Sequence, residues 1–318
     1  MMAGITGQGT MYNLPNYVGE LFSASAEETP FLTAIGGLTG GISAGAPLYE
    51  WQTYDLRDAD DSRQRKEGAD APTGEARTRS TIRNVAEIHQ ETIELSYTRQ
   101  AAVNARTTDG AKMVTIGGTA LPESELQWQI NQALKQVARD VNKAFLTGTY
   151  QDPANNTMPR KTRGLATAIT TNVVAGTGAL TADLVLDTMQ KVWEKGGIRE
   201  GETRTILVGG KLKRALTKIF IKDQGYKEST RNVGGINLQT LETDFGSCNI
   251  MLDGSVPDNM LMVVSLEECT PFFLEIPGKG HFFAEPLAKN GSYDRIQLYG
   301  EIGLAYGCEA HHGLLKLS

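Results

Sequence analysis

Histidine and cysteine are scarce in this chain of 318 residues, and neither is spaced as a ligand set. The three cysteines, Cys248, Cys269 and Cys308, form no CxxC pair, so nothing points to a disulfide framework or a zinc site. The four histidines, His89, His281, His311 and His312, have no HxxxH or HxH spacing, and neighbours such as His311 and His312 would point to opposite faces of a strand. No metal site is expected. Gly209-Gly-Lys211 and Gly278-Lys-Gly-His281 lack the GxxxxGK[ST] frame of a phosphate loop and read as glycine turns, and no serine sits in a GxSxG elbow. Carboxylates are plentiful, but no spacing singles out an acid/base pair. The chain is therefore not read as an enzyme, and no catalytic residue or cofactor is expected.

Long apolar runs are also absent. The longest, Met260-Leu-Met-Val-Val264, is far too short to cross a bilayer, so no membrane contact is expected. The first ten residues have neither a basic nor an apolar signal-peptide region, and synthesis in the cytosol is expected. A net charge of −6 argues against a dedicated nucleic-acid binder. The basic helix carrying Lys211, Lys213, Arg214, Lys218 and Lys222 lacks interleaved aromatics and reads as a solvated or intersubunit face. With 40% hydrophobic and 21% charged residues, the composition is that of a folded protein with room for two domains or one elaborated domain.

What is present is a long polar hairpin. Residues 45–98 read as two strand-like arms rich in Tyr, Trp, Thr, Ile and Val, joined by a charged tip with Gly68, Pro72 and Gly74. Arms of about 15 residues would project roughly 50 Å at ~3.3 Å per residue. Such arms carry too much charge to pack along their whole length on their own domain, so another copy of the chain is the natural support. Arg57, Asp58, Asp60, Asp61, Arg63, Arg65, Lys66 and Glu67 are the expected intersubunit contacts, setting register more than affinity.

The remaining elements frame this hairpin. The first 45 residues read as a loose arm with one short helix, capped by Thr29, started by Pro30 and stopped by Gly36-Gly37. A glycine-rich joint follows. Between Val85–Ile88 and Ile93 the apolar phase slips, which suits a bulge or strong twist. Pro122 to Thr147 reads as a helix with one apolar stripe, Leu126, Ile130, Leu134, Val137, Val141 and Phe145, that lies across a sheet. Residues 163–279 have α/β texture: a helix from Thr181 to Gly196-Gly197, a strand Thr203–Val208, the basic helix, and strands at 235–241, 250–252, 261–264 and 271–276. The alternating run from Ile296 to Cys308, preceded by an Asn290-Gly291 turn, predicts a long strand paired with Ile93–Tyr97.

This order of parts resembles the major capsid proteins of tailed bacteriophages, the Hong Kong 97-type capsid fold (Johnson fold), an α+β fold. The residues that carry the resemblance are Glu28-Thr-Pro-Phe-Leu32, Trp51-Gln52, Glu67-Gly-Ala-Asp-Ala-Pro72 and Asp294-Arg-Ile-Gln-Leu-Tyr-Gly-Glu-Ile-Gly-Leu-Ala-Tyr-Gly307, which look like those of phages of actinobacterial hosts. The resemblance implies an N-terminal arm (1–45), an extended loop (46–90), a peripheral domain with the spine helix 122–147 (91–164, completed by 281–318) and an axial domain (165–280). It implies self-assembly into hexamers and pentamers of an icosahedral head enclosing double-stranded DNA, without sequence-specific contact. Portal and decoration proteins are implied as further partners. The chain ahead of the extended loop is too short for the scaffold region many relatives carry, so a separate scaffolding protein is expected. The implied location is the virion, after assembly in the host bacterial cytoplasm. In some relatives an extended-loop lysine and a peripheral-domain asparagine form an isopeptide crosslink; Lys66 and Asn290 are the matching residue types here, though an ordinary turn at Asn290-Gly291 and an intersubunit ion pair at Lys66 are the stronger reading of them. An encapsulin-like nanocompartment is the alternative within the fold. An α/β enzyme with its site in residues 165–280 is the alternative outside it.

Overall fold

The computed structural model describes residues 20–21, 28–57, 59–98, 119–120, 125–155, 157–199, 203–223, 239–288 and 291–318. At the N-terminal end, β1 (Glu20–Leu21) is followed by α1 (Pro30–Ala34) and β2 (Ile42–Ala44). Pro30 opens α1 as expected, since its fixed φ suits a first helical turn, and Phe31 and Leu32 are buried. The Thr29 hydroxyl, expected to cap this helix, makes no cap bond. The expected flexible joint at 36–45 is partly a strand, because β2 pairs in parallel with a later strand from Ile42 to Ala44.

The hairpin consists of β3 (Leu48–Tyr54) and β4 (Arg79–Val85), paired antiparallel from Leu48↔Val85 to Tyr54↔Arg79. Each arm has 7 residues, not about 15, and the paired part is roughly 23 Å long. The phase slip in the sequence is real, but it is no bulge. Ala86 is buried between β4 and β5 (Glu87–Ser96), where the chain changes partner from one sheet to another.

After β6 (Thr119–Ala120), paired with β1, comes α2 (Glu125–Thr147). The start expected at Pro122 and the acidic Glu123 lie outside the described residues. The stripe is as the periodicity requires. Val137, Val141 and Phe145 are buried in the main core, while Ile130, Ala133 and Leu134 rest on Ile93 of β5 and Leu298.

After α3 (Leu165–Ala168) and β7 (Val173–Gly176), α4 (Ala182–Glu194) starts at Thr181, whose hydroxyl accepts a bond from the Leu184 N–H at 3.3 Å. It ends where Gly196 takes φ 78°, a value that strains residues bearing a Cβ. The chain continues through β8 (Thr203–Val208), α5 (Gly210–Thr217), β9 (Thr240–Thr243), β10 (Gly246–Leu252), β11 (Met260–Val264), β12 (Thr270–Leu274), β13 (Phe282–Pro286), β14 (Tyr293–Ala305) and β15 (Gly313–Leu317). The strand expected at 235–241 lies at Thr240–Thr243, and residues 235–238 are outside the described set.

Six strands form one mixed sheet in the order β7-β15-β11-β8-β10-β9. Alternation along β8 and β11 divides its two faces: Ile206, Val208, Leu261 and Val263 pack under α4 and α5, while Leu207, Met262 and Val264 meet α1 and α2. The second sheet is centred on β14, with β5 along one edge from Tyr293↔Ser96 to Ile302↔Glu87, and β13 then β12 along the other. The long C-terminal strand and its pairing with Ile93–Tyr97 are thus as the alternation predicts, except that Tyr97 lies just past the end of β5 and is exposed. Sheet membership does not follow the expected 280/281 boundary. Strand β12, ahead of it, pairs with β14, and β15, beyond it, is a central strand of the six-stranded sheet.

His312 joins the two sheets. Its Nδ1 accepts the Ser265 N–H at 3.3 Å and its Nε2–H donates to the Tyr306 carbonyl at 2.8 Å, so the neutral ring is fully used. Burial holds its pKa below the ordinary value, outweighing the Tyr306 carbonyl and the nearby Glu268. The unfolded chain therefore takes up this proton first as pH falls. Stability from this site is complete above pH ~6.5 and declines below it, by at most about 1.4 kcal/mol per pH unit. Urea unfolding between pH 8 and 5 should show this loss, and His312→Asn, though less stable at pH 8, should flatten the slope between pH 7 and 5. An unchanged slope in the variant would assign the loss to other groups.

Candidate assembly interface

The base of the hairpin is fixed to its own chain by residues that the sequence reading left without a role. Asn84, fully buried, uses its whole amide: Nδ2 donates to the carbonyls of Leu304 at 2.8 Å and Arg163 at 3.2 Å, and Oδ1 accepts from the N–H groups of Arg163 at 2.8 Å and Val85 at 3.0 Å. Tyr49 stacks on Phe272 with centroids 3.9 Å apart. The Trp51 indole N–H donates to the Gly307 carbonyl at 2.7 Å, and its ring meets Tyr306 edge-on. Two glycines allow this approach. A Cβ on Gly303 would lie 2.5 Å from the Tyr49 hydroxyl, and Gly307 has φ 59° with Glu268 against it.

Beyond Tyr54 this anchoring stops. Residues 55–78 form no strand, and every one whose exposure is described is exposed. The charges expected to act as one set fall into two groups. Asp60 Oδ1 accepts the Ser62 N–H at 2.8 Å, capping a short turn at Asp61–Arg63, and these Ser62 bonds hold its carboxyl below the usual range. Arg63 pairs with Asp60 at 3.6 Å and bonds Glu75, while Arg77 reaches the other Glu75 oxygen at 3.4 Å, so Arg63 ties the two limbs of the tip together. The Arg63 bond chiefly lowers the Glu75 pKa. Asp61, Arg65, Lys66 and Glu67 are exposed and make no ion pair among the described residues, and Arg57 is also exposed. The Lys66 carbonyl accepts the Ala69 N–H at 3.2 Å in a turn where Gly68 takes φ 77°. Asp58 and Asn290, the expected crosslink partner of Lys66, lie outside the described residues.

The other residues weighed for chemistry have structural partners. His89 bonds Glu87 at 2.8 Å and His311 bonds Glu268 at 2.6 Å, while His281 packs on Phe273. Burial pushes the Cys248 thiol up to about 12. No group of three or more potential metal-binding side chains occurs among the described residues. No helix there is long and apolar enough to cross a membrane. Lys211, Arg214 and Lys218 are solvent-exposed on α5 and the turn after it.

A second buried polar site joins α1 to α2 and to the loop after β10. Asn142 of α2 accepts the Leu32 N–H at 3.0 Å and donates to both Asp253 oxygens, at 3.1 and 3.0 Å, and to the Ser255 hydroxyl at 3.1 Å. Asp253 in turn accepts the Phe31 N–H at 3.3 Å. The sequence signal for this site was a polar residue set among the buried Val141, Phe145 and Leu146 of the helix.

No curated protein sequence matches the chain. Among solved structures, the Cyanophage A-1(L) capsid matches 96% of this chain and 98% of its own at 12% identity and a TM-score of 0.66. Microbacterium phage Oxtober96 matches 95% of each chain at 13% identity and a TM-score of 0.57. The SrpI encapsulin of Synechococcus elongatus PCC 7942 matches 92% of each chain at 10% identity and a TM-score of 0.56. At these identities the matches define the fold, which is the α+β Hong Kong 97-like capsid fold. The model of the family described as SU10 major capsid protein matches residues 4–317. A protein chain with an anchored hairpin, an exposed charged tip and this match along nearly its whole length is a capsid subunit, and it belongs to the SU10 major capsid protein family.

Proposed function

We propose that this subunit forms hexamers and pentamers of an icosahedral tailed-phage head, with the extended loop (46–90) of each subunit lying over a neighbour. The observation that carries this reading is the tip at 55–78 on a base locked by Asn84, Tyr49 and Trp51: the base is docked on its own chain, while every tip residue whose exposure is described is open to solvent. Each contact is modest, and closed symmetry multiplies it. In this reading Asp61, Arg65, Lys66 and Glu67 set the register between neighbours, with Arg57 and Asp58 beside them, while Asp60 and Arg63 stiffen the tip. The peripheral domain comprises residues 91–164 and the β14 region, the axial domain comprises 165–280 together with β15, and 1–45 form the N-terminal arm.

The role is structural, without catalysis. Separate scaffolding, portal and decoration proteins are the further partners. The shell encloses double-stranded DNA without reading its sequence, in keeping with a net charge of −6, and it assembles in the host bacterial cytoplasm. An encapsulin-like shell shares the fold, but the family match along nearly the whole chain favours the phage head over it and over an enzyme in residues 165–280. Negative-stain microscopy of the purified protein tests the reading: closed shells or capsomer rings are expected, and small discrete oligomers under all assembly conditions would overturn it. Denaturing electrophoresis of the same shells tests the Lys66–Asn290 crosslink, for which a covalent ladder is required and clean monomer excludes the bond.

A further inference from the structure

Three large apolar side chains are more exposed than any others among the described residues: Tyr54 at 73%, Leu56 at 68% and Met158 at 58%. The first two stand together at the start of the hairpin tip. The third lines a cleft of about 360 Å³ with Ile88, Pro153, Pro159 and Arg160. Ile88, also exposed, lies in β5 opposite Glu301 of β14.

The cleft is pre-formed. Its loop is closed at the neck by paired backbone bonds between Gln151 and Lys161, at 3.0 and 2.9 Å, and Arg160 fixes it to β14 through an ion pair with Glu301 at 2.7 Å. The chain's own tip does not fill it, since Tyr54 and Leu56 are both exposed and neither lines the cleft. Tyr54 pairs with Arg79, nine residues before Ile88 along the β4–β5 run, on the order of 30 Å of extended chain. An apolar knob and an apolar cleft held apart on one chain make a head-to-tail contact between copies, the type that closes into rings when the rotation allows.

Charge favours a second copy as the occupant. Residues 55–61 carry four aspartates and one arginine, a net −3, around Leu56. Arg160 lines the cleft, its charge partly offset by Glu301, and the exposed Lys161 follows it at the neck of the loop. We infer that Tyr54 and Leu56 of one subunit seat in the Ile88–Met158 cleft of the next, with the 55–61 acids facing Arg160 and Lys161. This rests on the proposed shell-forming role and adds the acceptor site to it. The apolar seat supplies the attraction, and the opposed charges orient it and weaken with salt.

The test uses full-length protein in a Cys308→Ser background. Leu56→Cys subunits are mixed with Met158→Cys subunits, assembled and oxidised mildly. Disulfide-linked dimers are expected from the mixture and from neither variant alone. Shells that form without such dimers would overturn the cleft assignment while leaving the assembly role intact, whereas wild-type protein that never assembles would overturn the role itself. If the cysteine variants do not assemble, p-benzoylphenylalanine at position 56 in the otherwise wild-type chain replaces them. Photocrosslinks to peptides containing Ile88 or residues 151–161 of another copy support the seat, and crosslinks confined to other regions refute it.

Discussion

Replacing residues 55–78 with Asn-Gly yields a folded, monodisperse subunit that makes no closed shells. The folded part is predictable because the seven β3–β4 pairs end at Tyr54↔Arg79, and Asn-Gly is the two-residue turn that closes such a pair with matching twist. The anchors at Tyr49, Trp51, Asn84 and Gly307 all lie outside the replaced segment, so the hairpin base stays docked. The tip contributes no buried side chain among its described residues, and its loss should shift thermal unfolding of the isolated subunit by no more than about 0.5 kcal/mol equivalent. Assembly should fall by orders of magnitude, because a loss repeated at every contact in a closed shell multiplies. Sedimentation velocity and microscopy read this out together. Shells of normal size from the variant would remove the tip from the assembly mechanism.

Asn142→Ala is the largest single-residue effect expected on stability. Four partners converge on one fully buried amide, and the truncation leaves the Leu32 N–H without its acceptor and strips a donor from both oxygens of the buried Asp253. Leaving buried polar groups unpaired costs about 1–3 kcal/mol each, more when one is charged, so a loss of about 3–5 kcal/mol is expected from urea unfolding. Asn142→Asp should be worse still, since it sets a second carboxylate roughly 3 Å from Asp253. The damage should centre on α1, which loses its tie to α2, and hydrogen exchange at Phe31 and Leu32 should rise first. A loss below ~1 kcal/mol would show that apolar packing of Phe31 and Leu32 alone holds the arm.

Much of this architecture was legible from periodicity. The stripe on α2, the Thr181 cap, the strand at Thr203–Val208 and the long β14 alternation follow directly from patterns of 3.6 and 2. Other parts depended on contacts far apart in sequence. Nothing local could say that Gly313–Leu317 would slot between β7 and β11, or that β12 would leave the α/β region to pair with β14. Arm length was overestimated because β3, the tip and β4–β5 share a strand-like, polar composition, and the change of partner at Ala86 leaves only a phase slip as its trace. At the candidate interface, the exposed charges were legible but their division was not, since the Arg63–Glu75 tie depends on how the loop folds back. Asn84 and Asn142 were missed for a similar reason. A buried asparagine is recognisable only once its partners, more than 70 residues away in sequence, are in place.

A density map of the assembled particle is the decisive measurement. In every capsomer, the tip of each hairpin should lie over the β5–β14 sheet of the adjacent subunit, with Tyr54 and Leu56 covered there. A map in which each tip folds back onto its own subunit, or stands free in solvent while the shells close through other surfaces, would contradict the role given to the hairpin.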